Sequence, residues 1–281
     1  MPSLVKLFGN HVDAWGLTFT IGSLALVLHQ RFTADAIALV VAITICYWLG
    51  FAVNDYFDAP FDAHDARKAT HNFFVTYPIA QRWFVAAVLL IAAPTFTLFA
   101  YFGAAGVVIF GVGLFVLWAY SAPPLRFKSR PGLDLATHAV FVQTFPYFVC
   151  LYLLQLPWTP LDWLLLSLFL LGSLSAQLEQ QARDYELDCR FDRTFTTRFG
   201  LGTTAALLRA TTIILIVNVA WHLLSGVIPD VLVPFGLICI PLVGHRLIRD
   251  IREPRSEKLI RLTLIAVLAY ASVIWGGEFL L

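Results

Sequence analysis

The chain has 281 residues and a formal net charge of +1, and 59% of its residues are hydrophobic, 15% aromatic and only 13% charged. So little polar material cannot cover a soluble globule, and the near-neutral balance leaves no electrostatic footprint for nucleic acid. The four cysteines, Cys46, Cys150, Cys189 and Cys239, lack C-x-x-C spacing, so they read as packing residues rather than as a metal site or a disulfide framework.

A membrane-spanning helix needs about 20 mostly apolar residues. Nine such stretches are expected, at 14–30, 35–54, 79–101, 104–120, 134–154, 162–182, 203–223, 230–247 and 258–280. They lack the period-2 alternation of barrel strands, and lipid offers no water to unpaired backbone groups, so they are expected as helices. The fold class is therefore all-α: a polytopic membrane protein, one domain over 1–281, with nine transmembrane helices in a single bundle around a central cavity. Nothing ahead of the first stretch has the charged start, short apolar run and small-residue cleavage site of a secretory signal, so the first helix is expected to stay. Of the 19 Lys and Arg residues, 17 fall in or beside the connections that follow even-numbered spans, with Lys6 ahead of the first span and Arg31 alone on the opposite side. The basic bias of short loops then places the N-terminus and the even connections in the cytoplasm and the C-terminus outside.

The second span runs out through Asn54-Asp55-Tyr56-Phe57-Asp58-Ala59-Pro60-Phe61-Asp62. Spacings of three and four put Asp55, Asp58 and Asp62 on one helix face, with Pro60 a point where the helix bends or ends. The sixth span ends in a second cluster, Asp184-Tyr185-Glu186-Leu187-Asp188-Cys189-Arg190-Phe191-Asp192, whose aspartates at i, i+4 and i+8 again share a face. Like charges one turn apart repel unless a positive group lies between them. Carboxylate-only sites suit hard cations, and Mg²⁺ binds through one or two carboxylates plus substrate phosphates. A solvated helix end explains either cluster alone; two regularly spaced clusters on one side favour a diphosphate bridged by Mg²⁺.

Between the fourth and fifth spans lies Tyr120-Ser121-Ala122-Pro123-Pro124-Leu125-Arg126-Phe127-Lys128-Ser129-Arg130. The paired prolines end the helix and stiffen the connection. Arg126 and Lys128 are suited to diphosphate oxygens, Arg as a planar fork and Lys as a point charge, whereas Arg130 reads as topology alone.

Asn-Asp-x-x-Asp-x-x-x-Asp at 54–62, Tyr-Ser-x-Pro-Pro-Leu-Arg-x-Lys at 120–128 and Asp-x-x-x-Asp at 184–188 together resemble the signature segments of the UbiA superfamily of intramembrane prenyltransferases. The match is spread over three connections and so covers essentially the whole chain. Phe127 to Asp134, with the Arg67-Lys68 pair, looks most like the branch that prenylates carotenoids and related hydrophobic acceptors. The resemblance implies Mg²⁺-dependent transfer of a prenyl group from an allylic diphosphate to a hydrophobic acceptor such as a quinone, carotenoid or other lipid. Asp55, Asp58 and Asp62 would hold one Mg²⁺ with help from Asn54, and Asp184 and Asp188 a second; Asp192, outside that pattern, fits an added ligand or a surface acid. Arg67, Lys68, Arg126 and Lys128 would hold diphosphate oxygens, and Tyr120 would shield the allylic cation by its ring face. Two departures stand out: Ala69-Thr70-His71-Asn72-Phe73-Phe74 replaces the Arg-Pro pair of many quinone-type members, and Asp192 replaces a small residue.

Other aromatics that fit the cation-shielding role or plain packing are Tyr47, Trp48, Phe145, Tyr147 and Phe148. Glu179, inside the sixth span, fits either a catalytic base or a structural pair with Arg183, its i+4 neighbour. His138, Gln143 and Thr144 fit interhelical hydrogen bonding or acceptor contact. Two other functions use the same features: an intramembrane terpene cyclase, which needs no acceptor, and a divalent-cation transporter, disfavoured because both clusters sit at helix ends beside basic loops rather than at the midplane.

Overall fold

A computed structural model describes residues 6, 7, 9, 11–253 and 256–280, with the backbone alone for Arg67, Phe191 and 274–280. Arg255, part of the basic bias, lies outside the described residues. Among the described residues the chain is helical with no strand. It divides into two compact units, residues 1–158 and 159–281.

The first unit contains α1 (Val12–Leu28), α2 (Ala34–Asp62), the short α3 (Ala66–His71) and α4 (Phe73–Thr76), then α5 (Gln81–Ala100), α6 (Gly103–Ser121) and α7 (Leu133–Leu153). α2 is the hub, packing against α1, α5 and α6. Small residues permit the close approaches that apolar association in lipid requires: Gly22 seats Val40, and Gly50 lets Leu117 lie directly over the backbone of α2. At the turn from α5 to α6, a Cβ on Gly106 would run into the Phe99 carbonyl oxygen.

Pro60 does not end α2. The helix continues to Asp62 and closes with the Ala63 N–H bonded to the Ala59 carbonyl at 3.1 Å, so all three motif aspartates stand on one uninterrupted helix. α7 is irregular for a reason legible in its composition. A single π turn spans Val140–Thr144, in which the Phe145 N–H bonds the Val140 carbonyl. The next carbonyl in that register, Phe141, would look to residue 146, which is a proline with no N–H. The Tyr47 hydroxyl, from α2, donates to it instead.

The second unit contains α8 (Pro160–Arg183), α9 (Tyr185–Phe191), α10 (Phe195–Leu224), α11 (Val233–Ile248) and α12 (Glu257–Leu280). α8 begins with a reciprocal capping box: Thr159 Oγ1 accepts from the Asp162 N–H at 3.3 Å, while Asp162 Oδ2 accepts from the Thr159 N–H at 2.7 Å. α10 is broken at Gly200, whose φ of 82° belongs to the region glycine enters freely.

The nine expected stretches all fall on helices, and among the described residues seven helices are long and apolar enough to cross a membrane. α1, with 17 residues, spans only about 25 Å of a hydrocarbon core about 30 Å thick. The cysteines are free, as expected.

Candidate active site

The first acidic motif occupies the last turns of α2, and its intervening aromatics fix that end of the helix. Tyr56 stacks on Phe84 of α5 at 3.9 Å, and Phe57 meets the Trp118 ring edge-on at 5.2 Å. With residues 56 and 57 turned into this aromatic packing, the motif's polar side chains meet partners from other parts of the first unit.

Asp58 accepts a hydrogen bond from Lys128 Nζ, and the same oxygen lies 3.5 Å from Arg126 Nη2. Lys128 also donates to Asn54 Oδ1 at 3.1 Å, and that amide oxygen accepts from Ser121 Oγ at 2.7 Å. The Arg126 guanidinium stands over the Phe61 ring at 4.4 Å and donates through Nε to Ser129 Oγ at 2.8 Å. Arg130 is used differently, donating to the Pro124 carbonyl at 3.2 Å. Asp62 Oδ2 accepts from Asn72 Nδ2 at 2.8 Å. Asn72 is buried, donates also to the Asp55 carbonyl at 2.8 Å and caps α4 by accepting from the Phe74 N–H at 2.9 Å. Asp55 is only 5% exposed, and its carboxylate meets His11 Nε2 at 2.9 Å. That bond raises the imidazole's affinity for a proton above the ordinary histidine value, against the opposing effect of its partial burial.

Lys68 lies on α3, near enough to Asp62 to act on it electrostatically, and Tyr120 is half-buried in the last turn of α6 beside Ser121. The Arg67 side chain lies outside the described parts. The first unit thus brings together Asn54, Asp58, Arg126 and Lys128 in direct contact, with Asp55 and Asp62 held on the same helix.

In the second unit the acidic cluster is not one continuous helix. Asp184 sits at the break between α8 and α9 with ψ of 2°, and Asp192 follows α9 with extended backbone at φ −128°. The four-residue register nonetheless survives: the Asp188 N–H bonds the Asp184 carbonyl and the Asp192 N–H the Asp188 carbonyl, both at 2.8 Å. Glu179 does not take Arg183 as its described partner. It is buried and pairs with Arg249 Nη2 and with Arg246 Nε at 3.2 Å, both from the end of α11, while Arg249 Nη1 also bonds the Glu253 carbonyl. A buried acid reaches for buried cations, and the helix-surface neighbour loses. Two residues on, Gln181 Oε1 accepts from the Thr196 N–H at 3.1 Å and its hydroxyl at 3.0 Å.

Among the described residues, no three His, Cys, Asp or Glu side chains converge as a ready-made cage for a metal ion. The donor set still suits Mg²⁺, which takes one or two carboxylates and completes its shell with water and phosphate oxygens. Of the aromatics, Tyr47 supports the α7 π turn, Trp48 donates to the Leu7 carbonyl at 3.4 Å and Tyr147 is fully buried. Thr144 bonds the Ala139 carbonyl of its own helix at 3.1 Å. Three contributors escaped sequence reasoning: His11, Asn72 and Ser121. Asn72 stood in the segment that departs from the quinone-type pattern and Ser121 inside the signature segment at 120–128, which were the available signals.

Carboxylates interlocked with Arg and Lys thus lie at the end of a helix long and apolar enough to cross a membrane. The chain belongs to the UbiA prenyltransferase family, whose model matches residues 16–273. Its fold is similar to that of a UbiA homolog from Archaeoglobus fulgidus bound to GPP and Mg²⁺, at 16% identity and a TM-score of 0.69, covering 95% of this chain and 97% of that one. It is likewise similar to the same organism's homolog bound to DMAPP and Mg²⁺, at 14% identity and TM-score 0.66 over 94% and 97% of the two chains. The apo UbiA homolog from Aeropyrum pernix K1 gives 15% identity and TM-score 0.68 over 95% and 98%. No curated protein sequence matches the chain.

Proposed function

We propose that the chain is an intramembrane prenyltransferase that moves a prenyl group from an allylic diphosphate to a hydrophobic acceptor, with Mg²⁺ as cofactor. The observation that carries this reading is the contact of Asp58 and Asn54 with Lys128, beside Arg126, which sets metal-type oxygen ligands directly against diphosphate-type cations. Solved relatives of this fold bound to DMAPP or GPP together with Mg²⁺ support it.

In this reading Asp55, Asp58 and Asp62 hold one Mg²⁺ with Asn54, and Asp184 and Asp188 hold a second, with Asp192 as a further ligand. When bound, the metal neutralises diphosphate oxygens as charge develops on the leaving group. Lys128 and Arg126 supply fixed donors to the same oxygens and, bordering an apolar span, act more strongly than they would in water. Arg67 and Lys68 add charge from α3. Tyr120 presents a ring face to the allylic cation, the geometry in which an aromatic quadrupole attracts positive charge. The acceptor attacks the allylic carbon as the carbon–oxygen bond to diphosphate breaks, and loses a proton to complete the exchange. The motif ends of the helices face the cytoplasm, and nine helices are membrane-embedded, α1 and α12 included.

The test is to offer geranylgeranyl and shorter allylic diphosphates to purified protein in detergent, with and without a membrane lipid extract, and to identify products by mass spectrometry. A prenylated lipid formed only with Mg²⁺ and the extract is the expected result. A hydrocarbon made from donor alone would replace the reading with a cyclase. No turnover of any donor, with Mg²⁺ uptake into vesicles, would replace it with a transporter.

A further inference from the structure

We infer that His11, ahead of the first long helix, is a positioning residue for the first acidic motif: its Nε2–H holds one oxygen of the Asp55 carboxylate, which fixes the direction in which the other oxygen is offered to a divalent cation. The inference rests on the reading of Asp55 as a metal-holding residue.

The imidazole is fixed from three sides. Its backbone starts α1, the carbonyl accepting from the Ala14 and Trp15 N–H groups at 2.9 and 3.0 Å, in a left-handed conformation (φ 59°) that a residue other than glycine seldom adopts. Its ring lies flat on Phe51, with centroids 4.9 Å apart and planes 17° from parallel. Phe51 is four residues before Asp55 on α2, so the stack and the hydrogen bond are adjacent rungs of one helix face. Nε2 then meets Asp55 Oδ1 at 2.9 Å.

What sets Asp55 apart is the number of its partners. Asp58 is faced by two cationic groups, whereas among the described residues the Asp55 carboxylate has His11 as its one hydrogen-bond partner in the protein. Asp55 is also the most buried of the three, so its carboxylate cannot borrow orientation from bulk water. A ligand carboxylate is hydrogen-bonded in turn by a neighbouring group that sets its orientation, and loss of such a neighbour costs about 10- to 100-fold in metal affinity. A bond spanning 44 residues also ties the segment ahead of α1 to the motif on α2.

The experiment is direct binding of Mn²⁺, as a spectroscopic stand-in for Mg²⁺, to the purified full chain in detergent without diphosphate, read by electron paramagnetic resonance. Wild type, His11→Ala, His11→Asn, Phe51→Leu and Asp55→Asn are compared, and diphosphate release is titrated with Mg²⁺ for each. The expected outcome is that His11→Ala weakens Mn²⁺ binding by about 10- to 100-fold and raises the half-saturating Mg²⁺ concentration similarly, with a much smaller change in maximal rate. His11→Asn, which keeps an N–H donor, recovers part of the loss. Phe51→Leu, which keeps the imidazole but removes its stack, shows a weaker form of the same defect and serves if His11→Ala does not fold. Unchanged Mn²⁺ binding in folded His11→Ala, or a fall in maximal rate with no change in Mg²⁺ dependence, would overturn the inference. If instead Asp55→Asn leaves Mn²⁺ binding at the wild-type level, it is the reading of Asp55 that fails, and the two failures are told apart.

Discussion

Replacing Glu179 by leucine tests the second unit most severely. The Glu179 side chain is 5% exposed, and it faces Arg249, whose side chain is 4% exposed, and Arg246, at 12%. Leucine matches the volume but takes away the carboxylate that both guanidinium groups face, one of them almost wholly out of solvent. Breaking a buried pair by removing one partner costs about 3–5 kcal/mol, because the remaining charge stays desolvated. At about 2–4 °C per kcal/mol for a chain of this size class, the midpoint of thermal unfolding should fall by about 10 °C. Tryptophan fluorescence during heating in a fixed detergent reads this directly. Adding Arg249→Met to Glu179→Leu should return part of the loss, since the charge left behind is then removed as well. Arg183→Gln, which removes the helix-surface neighbour that spacing alone would pair with Glu179, should move the midpoint by less than about 2 °C, as surface changes do. A Glu179→Leu protein that melts with wild type, or an Arg183→Gln protein that melts as early as Glu179→Leu, would refute the buried triad.

The first unit yields three further expectations. Tyr47→Phe removes the donor from the Phe141 carbonyl and should cost about 1–3 kcal/mol, the range for a carbonyl left unpaired away from water; adding Pro146→Ala, which supplies an N–H in the π register, should recover it, and failure to do so would mean the carbonyl is not the reason. Asn72→Ala removes three hydrogen bonds at about 1 kcal/mol each, so it should lower the melting midpoint and raise the Mg²⁺ requirement together through Asp62; a change in melting alone would confine Asn72 to a structural role. Gly106→Ala drives a methyl into the Phe99 carbonyl and should destabilise by about 1–3 kcal/mol, whereas alanine at Gly111, where nothing crowds the position, should be tolerated; equal melting of the two would contradict the close turn between α5 and α6.

The hydropathy of the chain located its helices well because lipid imposes a single requirement, a long apolar run, that can be read locally. Motif spacing likewise put Asp55, Asp58 and Asp62 on one helix, and the structure adds that Pro60 is absorbed in the last turn of α2. What spacing could not supply were the partners. His11 comes from 44 residues before Asp55, Lys128 from 70 residues after Asp58, and Arg249 from 70 residues after Glu179. Each of those pairings depends on which helices become neighbours, information that no window of the sequence holds. Local reasoning therefore offered Glu179 its i+4 neighbour, and tertiary packing gave it two arginines from α11 instead. The break at Asp184 was hidden for a similar reason: the residues after it keep the four-residue register that a continuous helix would have, so periodicity alone does not reveal the interruption.

The most direct test of prenyl diphosphate chemistry at these motifs is release of diphosphate from an allylic donor by purified protein in detergent, with wild type beside Asp55→Asn and Asp184→Asn. The expected result is release that requires Mg²⁺ and collapses in both variants while their thermal unfolding stays near wild type. Release that persists in folded Asp55→Asn and Asp184→Asn, or proceeds equally with Mg²⁺ chelated, would contradict it.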